Sequence, residues 1–219
     1  MTKKLIFPCI ALTVFVIVVA SSVYLQAALL ELIEYFDEFA HAHPVLGPVL
    51  FLLLAVSSVL LGPFSSIPLM PFAIVAWGIP ITFAYTLVGW FIGGYLSYLI
   101  GNYAGKPFVA WLVGEEKLER WLSPLRHGLP FYLMLLFRLA MPAETGYAFG
   151  LIGYSMRKYL LIVFLAEVPF ALLGVYAGEA FLENGWVTFV SLVFAALVLV
   201  TIAYRLFFVY FDKHRNDNR

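Results

Sequence analysis

FRLAMPAETGYAFG, residues 137–150, is the stretch on which the fold turns. Its first part closes an apolar run, Leu129 to Met141, that carries one charge, Arg138. As helix, about 13 residues reach roughly 20 Å, well short of the ~30 Å hydrocarbon core of a bilayer. Pro142 breaks that run, and a second short arm follows, Ala143 to Gly153, carrying Glu144, Gly146 and Gly150. Two short arms around a proline break read as a re-entrant hairpin, because irregular backbone survives at membrane depth only when buried in protein or facing a wet cavity.

The same pattern occurs upstream. Pro48 to Leu61 is apolar and too short to span. Gly62-Pro63, Pro68 and Pro71 break it, and a second arm, Leu69 to Trp77, ends at Gly78 and Pro80. Full-length runs lie between and around these hairpins. Ile81 to Tyr103 carries Gly89 and Gly93 in G-x-x-x-G spacing, which lets helices approach closely. Tyr159 to Gly178 contains Glu167 and Pro169, and a last run extends from Trp186 to Phe208. At the start, Lys3 and Lys4 precede an apolar run from Leu5 to Ala28. That run is longer than a signal-peptide core and reads as an uncleaved span.

Two charged amphipathic stretches precede the hairpins. In Leu29 to Phe39, Leu32, Ile33, Phe36 and Phe39 alternate at helical spacing with Glu31, Glu34, Asp37 and Glu38. In Phe108 to Arg126, Leu118, Trp121, Leu122 and Leu125 alternate with charges of both signs. Both read as interfacial helices.

The expected fold is therefore an all-α polytopic membrane protein with about four full transmembrane helices and two opposed re-entrant hairpins in an inverted repeat. Its segments are an N-terminal helix (1–28), a core (29–178), a C-terminal helix (179–211) and a polar cytoplasmic tail (212–219). Composition agrees: 63% of the 219 residues are hydrophobic and only 12% charged, with mean hydropathy +0.96. With both termini in the cytoplasm, the outside segments, about 29–47 and 179–185, contain no Lys or Arg. Of the 13 Lys and Arg, Arg138 alone falls at membrane depth. Bacterial inner membrane is the expected location.

Inverted repeats place their site where the two broken elements meet. The candidates are Arg138, Pro142 and Glu144 on one hairpin and Ser65, Ser66 and Pro68 on the other. A cation within the membrane costs about 2.5–3.5 kcal/mol on insertion scales, so its default reading is functional. Guanidinium matches phosphate oxygens as a planar fork. The structural alternative for Arg138 is a lock on hairpin carbonyls or a pair with Glu144. Glu144 and Glu167 are the proton-coupling candidates; Glu167 reads equally well as a carboxylate capping a carbonyl freed near Pro169. Ser65 and Ser66 fit a headgroup contact or plain turn chemistry.

Other chemistry is poorly supported. His41 and His43, two apart, do not share a helix face, so no metal site is expected. Cys9 is the one cysteine, and neither G-x-S-x-G nor H-E-x-x-H occurs, so no enzyme and no cofactor are expected. Zero net charge gives no sign of nucleic-acid binding. The five Trp read mostly as interface anchors or lipid-facing bulk. Membrane lipids are the expected partners, and a homo-oligomer is compatible with the sequence.

Two segments resemble the DedA superfamily, also called the VTT-domain or SNARE-associated Golgi protein family. One runs from Pro63 through IPLMPFAIVAWGIPITFAYTLVGWFIGGYLSYLIGNYAGKP; the other is FRLAMPAETGYAFGLIGYSMRKYLL. The resemblance implies two opposed hairpins and movement of a phosphate-bearing lipid, undecaprenyl phosphate or a phospholipid, by a flippase or scramblase, proton-coupled in some members. On those terms Arg138 matches the family arginine. The chain departs in carrying no charge between Pro48 and Gly78, where many members have an acid, and in lacking a second arginine close after the first. Coupling would then fall to Glu144 or Glu167. The rival readings are a small-solute or ion transporter and a non-transport membrane organiser.

Overall fold

The computed structural model describes residues 35–61, 65–126 and 128–217. The expected N-terminal span, the first residues of the first interfacial helix and the Gly62-Pro63 break lie outside the described residues.

Eight helices form, and no strand occurs among the described residues. Tyr35–Ala42 (α1) bends by 118° into Leu46–Leu60 (α2). A 3-10 turn, Ile67–Leu69, leads into Met70–Val113 (α3). Glu115–Leu125 (α4) and Phe131–Ala140 (α5) follow. A second 3-10 turn, Ala143–Thr145, opens Gly146–Leu151 (α6), and Met156–Leu182 (α7) and Trp186–Asp217 (α8) complete the chain. The predicted arms and spans coincide with these elements to within a few residues at most ends. One boundary differs more: α8 runs on to Asp217, so the segment expected to be a polar tail continues the helix.

The 44 residues of α3 are not one straight rod. Gly78 (φ 76°) and Gly105 (φ 77°) leave helical geometry within it. Each is followed two residues later by proline, Pro80 and Pro107. Glycine tolerates positive φ, and proline suits the first turn of a new helix, so Gly-x-Pro stops one helical segment and starts the next. The first break separates the short arm Met70–Trp77 from the long segment beyond it.

Glycines then bring the elements together. A Cβ on Gly89 would lie 2.5 Å from the Ala55 Cβ, and one on Gly93 2.7 Å from the Val59 Cβ, so the G-x-x-x-G face carries α2. Further along α3, a Cβ on Gly101 would meet the Tyr147 carbonyl, and one on Gly150 of α6 would meet the Tyr98 carbonyl. On α7, Gly174 and Gly178 face Met70. Each long segment thus receives the short arm that belongs to the other half.

The main core joins Leu118, Trp121, Leu122 and Leu125 of α4 to Leu133 and Phe137, Tyr147 and Phe149, Tyr159 and Ile162, and Phe207. This corrects the interfacial expectation for the second part of the stretch Phe108 to Arg126. The stretch is split at Gly114 (φ 91°), and the apolar face of its second part is covered by protein. A smaller cluster gathers Ala55, Val59, Met70, Trp90, Ala171 and Val175. Leu53, Leu161, Phe164, Phe194 and Leu197 are exposed. That apolar exterior suits lipid rather than water. Among the described residues, three helical stretches are long and apolar enough to cross a membrane: Ile67–Val113, Met156–Leu182 and Trp186–Lys213. The molecule is an integral membrane protein.

Candidate functional site

Arg138 lies in the last turn of α5, two residues before the helix ends at Ala140 and the chain leaves toward Pro142. It is 3% exposed. Nη2 donates to Oε1 of Glu167 on α7, which is itself 7% exposed. Nη1 donates to the Pro142 carbonyl at 3.3 Å, and Thr145 Oγ1 donates to the same carbonyl at 2.9 Å. Nε is buried with no hydrogen-bond partner among the described residues. A buried donor without a partner carries a desolvation cost of about 1–3 kcal/mol.

Pro169 cannot donate to the carbonyl four residues before it, which loosens α7 just where Glu167 turns inward. Both alternatives weighed for Arg138 as a structural lock, a carbonyl contact and an acid partner, are present, but the acid is Glu167. Glu144 accepts instead from Lys117 Nζ, at 3.3 Å to each oxygen. Lys117 reaches it from α4, with its ammonium 5.0 Å from the centre of the Trp121 ring. The pairing of Arg138 with Glu144 is therefore corrected. Pro142 and Ala143 carry Glu144 away from the end of α5, toward the helix that bears Lys117.

Arg138, Glu144 and Glu167 line one cavity of about 470 Å³, together with Pro142, Ser65 and Ser66. Ser66 accepts from Trp90 Nε1 at 2.8 Å and lies 3.3 Å from Ser58 Oγ, which donates to the Ala55 carbonyl. Ser65 Oγ accepts from the Ile67 N–H at the head of the 3-10 turn. Hydroxyls from the first break and charges from the second thus face a common space, with Val59, Phe170 and Val200 as apolar wall. Pro68 does not belong to it: it is exposed in the 3-10 turn, with its ring fixing the turn's first residues.

Three contributors escaped the sequence reading. Trp90, taken with the other Trp as anchor or bulk, is 7% exposed and holds Ser66. Ser58 sits in an apolar helix with no signal beyond its hydroxyl. Lys117 carried only an amphipathic pattern, which says nothing of a partner 27 residues away. His41 and His43 each contact the backbone carbonyl four residues earlier, and no metal-ligand cluster occurs among the described residues.

Apolar exterior, broken helices and a buried charged cavity define a polytopic membrane protein of the kind linked to transport. The VTT domain matches residues 62–180, and the chain belongs to that family, the DedA/SNARE-associated Golgi proteins. No curated protein and no solved structure matches it.

Proposed function

We propose that the protein moves a phosphate-bearing lipid across the bilayer, with Arg138 holding the phosphate in the cavity between the two breaks. The observation that carries this reading is the buried guanidinium on the cavity wall, with one carboxylate partner and an unpartnered Nε. The headgroup takes the place of Glu167 on the Arg138 fork while its tails stay in lipid. Ser65, Ser66 and the Pro142 carbonyl offer it polar contacts. A volume of about 470 Å³ lies within the range of small-molecule sites. Protonation of Glu167 frees Arg138 for phosphate, so proton coupling runs through Glu167; Glu144, on the wall of the same cavity, is the second candidate carrier.

The two breaks belong to re-entrant hairpins that enter from opposite faces. Support comes from the exchanged contacts: the arm opened at Met70 lies on Gly174 and Gly178, and the arm opened at Gly146 lies on Ser97 and Gly101. Both arms begin directly after a 3-10 turn. Such reciprocity is what an inverted repeat produces. The charge distribution favours cytoplasmic termini in an inner membrane.

Reconstitution of the full chain in liposomes with a labelled phospholipid tests the proposal. Wild type accelerates lipid translocation, and Arg138→Gln abolishes the acceleration. Equal rates for the two refute the role of Arg138.

A further inference from the structure

A second cavity, of about 780 Å³, shares no lining residue with the first. Lys106, Arg126 and Lys158 line it, and no carboxylate does among the described residues. They come from the far end of α3, the C-cap of α4 and the first turn of α7. Glu119 is the answering charge. It pairs with Lys106, and with Arg126 Nη2 at 3.1 Å. Lys158 is exposed and has no ion-pair partner among the described residues. Among the described residues, three cations against one carboxylate leave a surplus of two positive charges.

The local backbone adds to that field. Ser155, at the N-cap of α7, lines the cavity and makes no side-chain cap bond. The helix therefore presents its positive end there with first-turn N–H groups unanswered by a side chain. Leu129 and Met134 give the same cavity an apolar wall. A small anion would satisfy the cations and leave that wall against water. An amphiphile with an anionic head satisfies both, and basic pockets between membrane helices suit lipid headgroups for this reason.

We infer that this cavity binds the phosphate headgroup of an anionic membrane lipid, with the start of an acyl chain along Leu129 and Met134. The site is separate from the Arg138 cavity, and the inference stands whether or not that cavity moves lipid.

Native mass spectrometry of the detergent-solubilised full chain tests it. The protein is titrated with dioleoylphosphatidylglycerol or with dioleoylphosphatidylcholine, and inorganic phosphate is added as competitor. Each titration is run in the wild type and in an Arg138→Gln/Glu167→Gln background, so that lipid held in the first cavity is counted apart. Lys158→Gln breaks no ion pair and weakens phosphatidylglycerol binding roughly five-fold, the contribution of one surface cation. Glu119→Gln removes the competing carboxylate and tightens it. Phosphatidylcholine binds more weakly throughout, and millimolar phosphate displaces neither lipid. Equal binding of the two lipids overturns the inference, as does the absence of an effect from either variant. Displacement by inorganic phosphate overturns it too, marking a site for soluble anions. A failure here leaves the Arg138→Gln translocation result standing, and the reverse also holds.

Discussion

Replacing Glu167 with Gln removes the carboxylate that accepts from Arg138 and leaves a guanidinium that is 3% exposed without its bonded counter-charge. Breaking a buried pair by removing one partner costs about 3–5 kcal/mol. For a chain of this length that corresponds to a fall in Tm of roughly 6–20 °C. Removing both charges, as in Arg138→Gln/Glu167→Gln, restores much of the loss, because no charge is then stranded. The coupling between the two sites is expected to exceed about 1 kcal/mol. Glu144→Gln serves as the contrast. Its partner Lys117 is 43% exposed at the side chain, so the change costs less than about 1 kcal/mol. Thermal unfolding in detergent, followed by helical ellipticity, reads all four proteins. The reasoning fails if Glu144→Gln costs as much as Glu167→Gln, or if the two single losses simply add in the double variant.

Two further outcomes are expected. Gly101→Ala places a Cβ against the backbone carbonyl of Tyr147, which cannot rotate aside. Overpacking of this kind costs about 1–3 kcal/mol, whereas a Cβ at Gly89 or Gly93 meets side chains of α2 first; a Gly101→Ala protein that melts with wild type contradicts the close approach. The hydrogen-bonded Lys106 ammonium, with Arg126 adding to it, holds the Glu119 carboxyl below its usual range. A lowered value in the folded state means that the tether is complete above the ordinary carboxylate range and is lost as pH falls through the lowered value. Hydrogen exchange of α4, corrected for intrinsic rates, therefore rises at low pH in wild type, and Glu119→Gln flattens that dependence.

Much of this architecture was legible because apolar length and glycine–proline breaks are local signals. The stop at Gly78 and Pro80 follows from two residues, and the structure places a positive φ at the first of them. Arg138 stood out for a similar reason, as a lone charge in an apolar run. Its partner did not. Glu144 was six residues away and Glu167 was 29, and proximity along the chain favoured the wrong one. The choice depends on how α5 and α7 are rotated against each other, which no periodicity encodes. Trp90 and Lys117 were missed on the same grounds. An aromatic in a span and a lysine on an amphipathic helix look alike whether they face lipid, water or a buried acceptor. The amphipathic pattern of α4 was read correctly, but its apolar face met protein rather than the interface.

The exchange of short arms between halves bears on how the chain is made. Met70 rests on Gly174, and Ile74 lies against Gly178. More than a hundred residues must be synthesised between the laying down of that arm and the arrival of its seat. The first short arm therefore waits in the translocation machinery or the bilayer without its final cover, and the two parts of the chain mature together rather than in turn. Cutting the gene between α4 and α5 would yield two fragments that each lack the surface their own arm needs. Expressed together in one cell, those fragments would supply each other's missing seat.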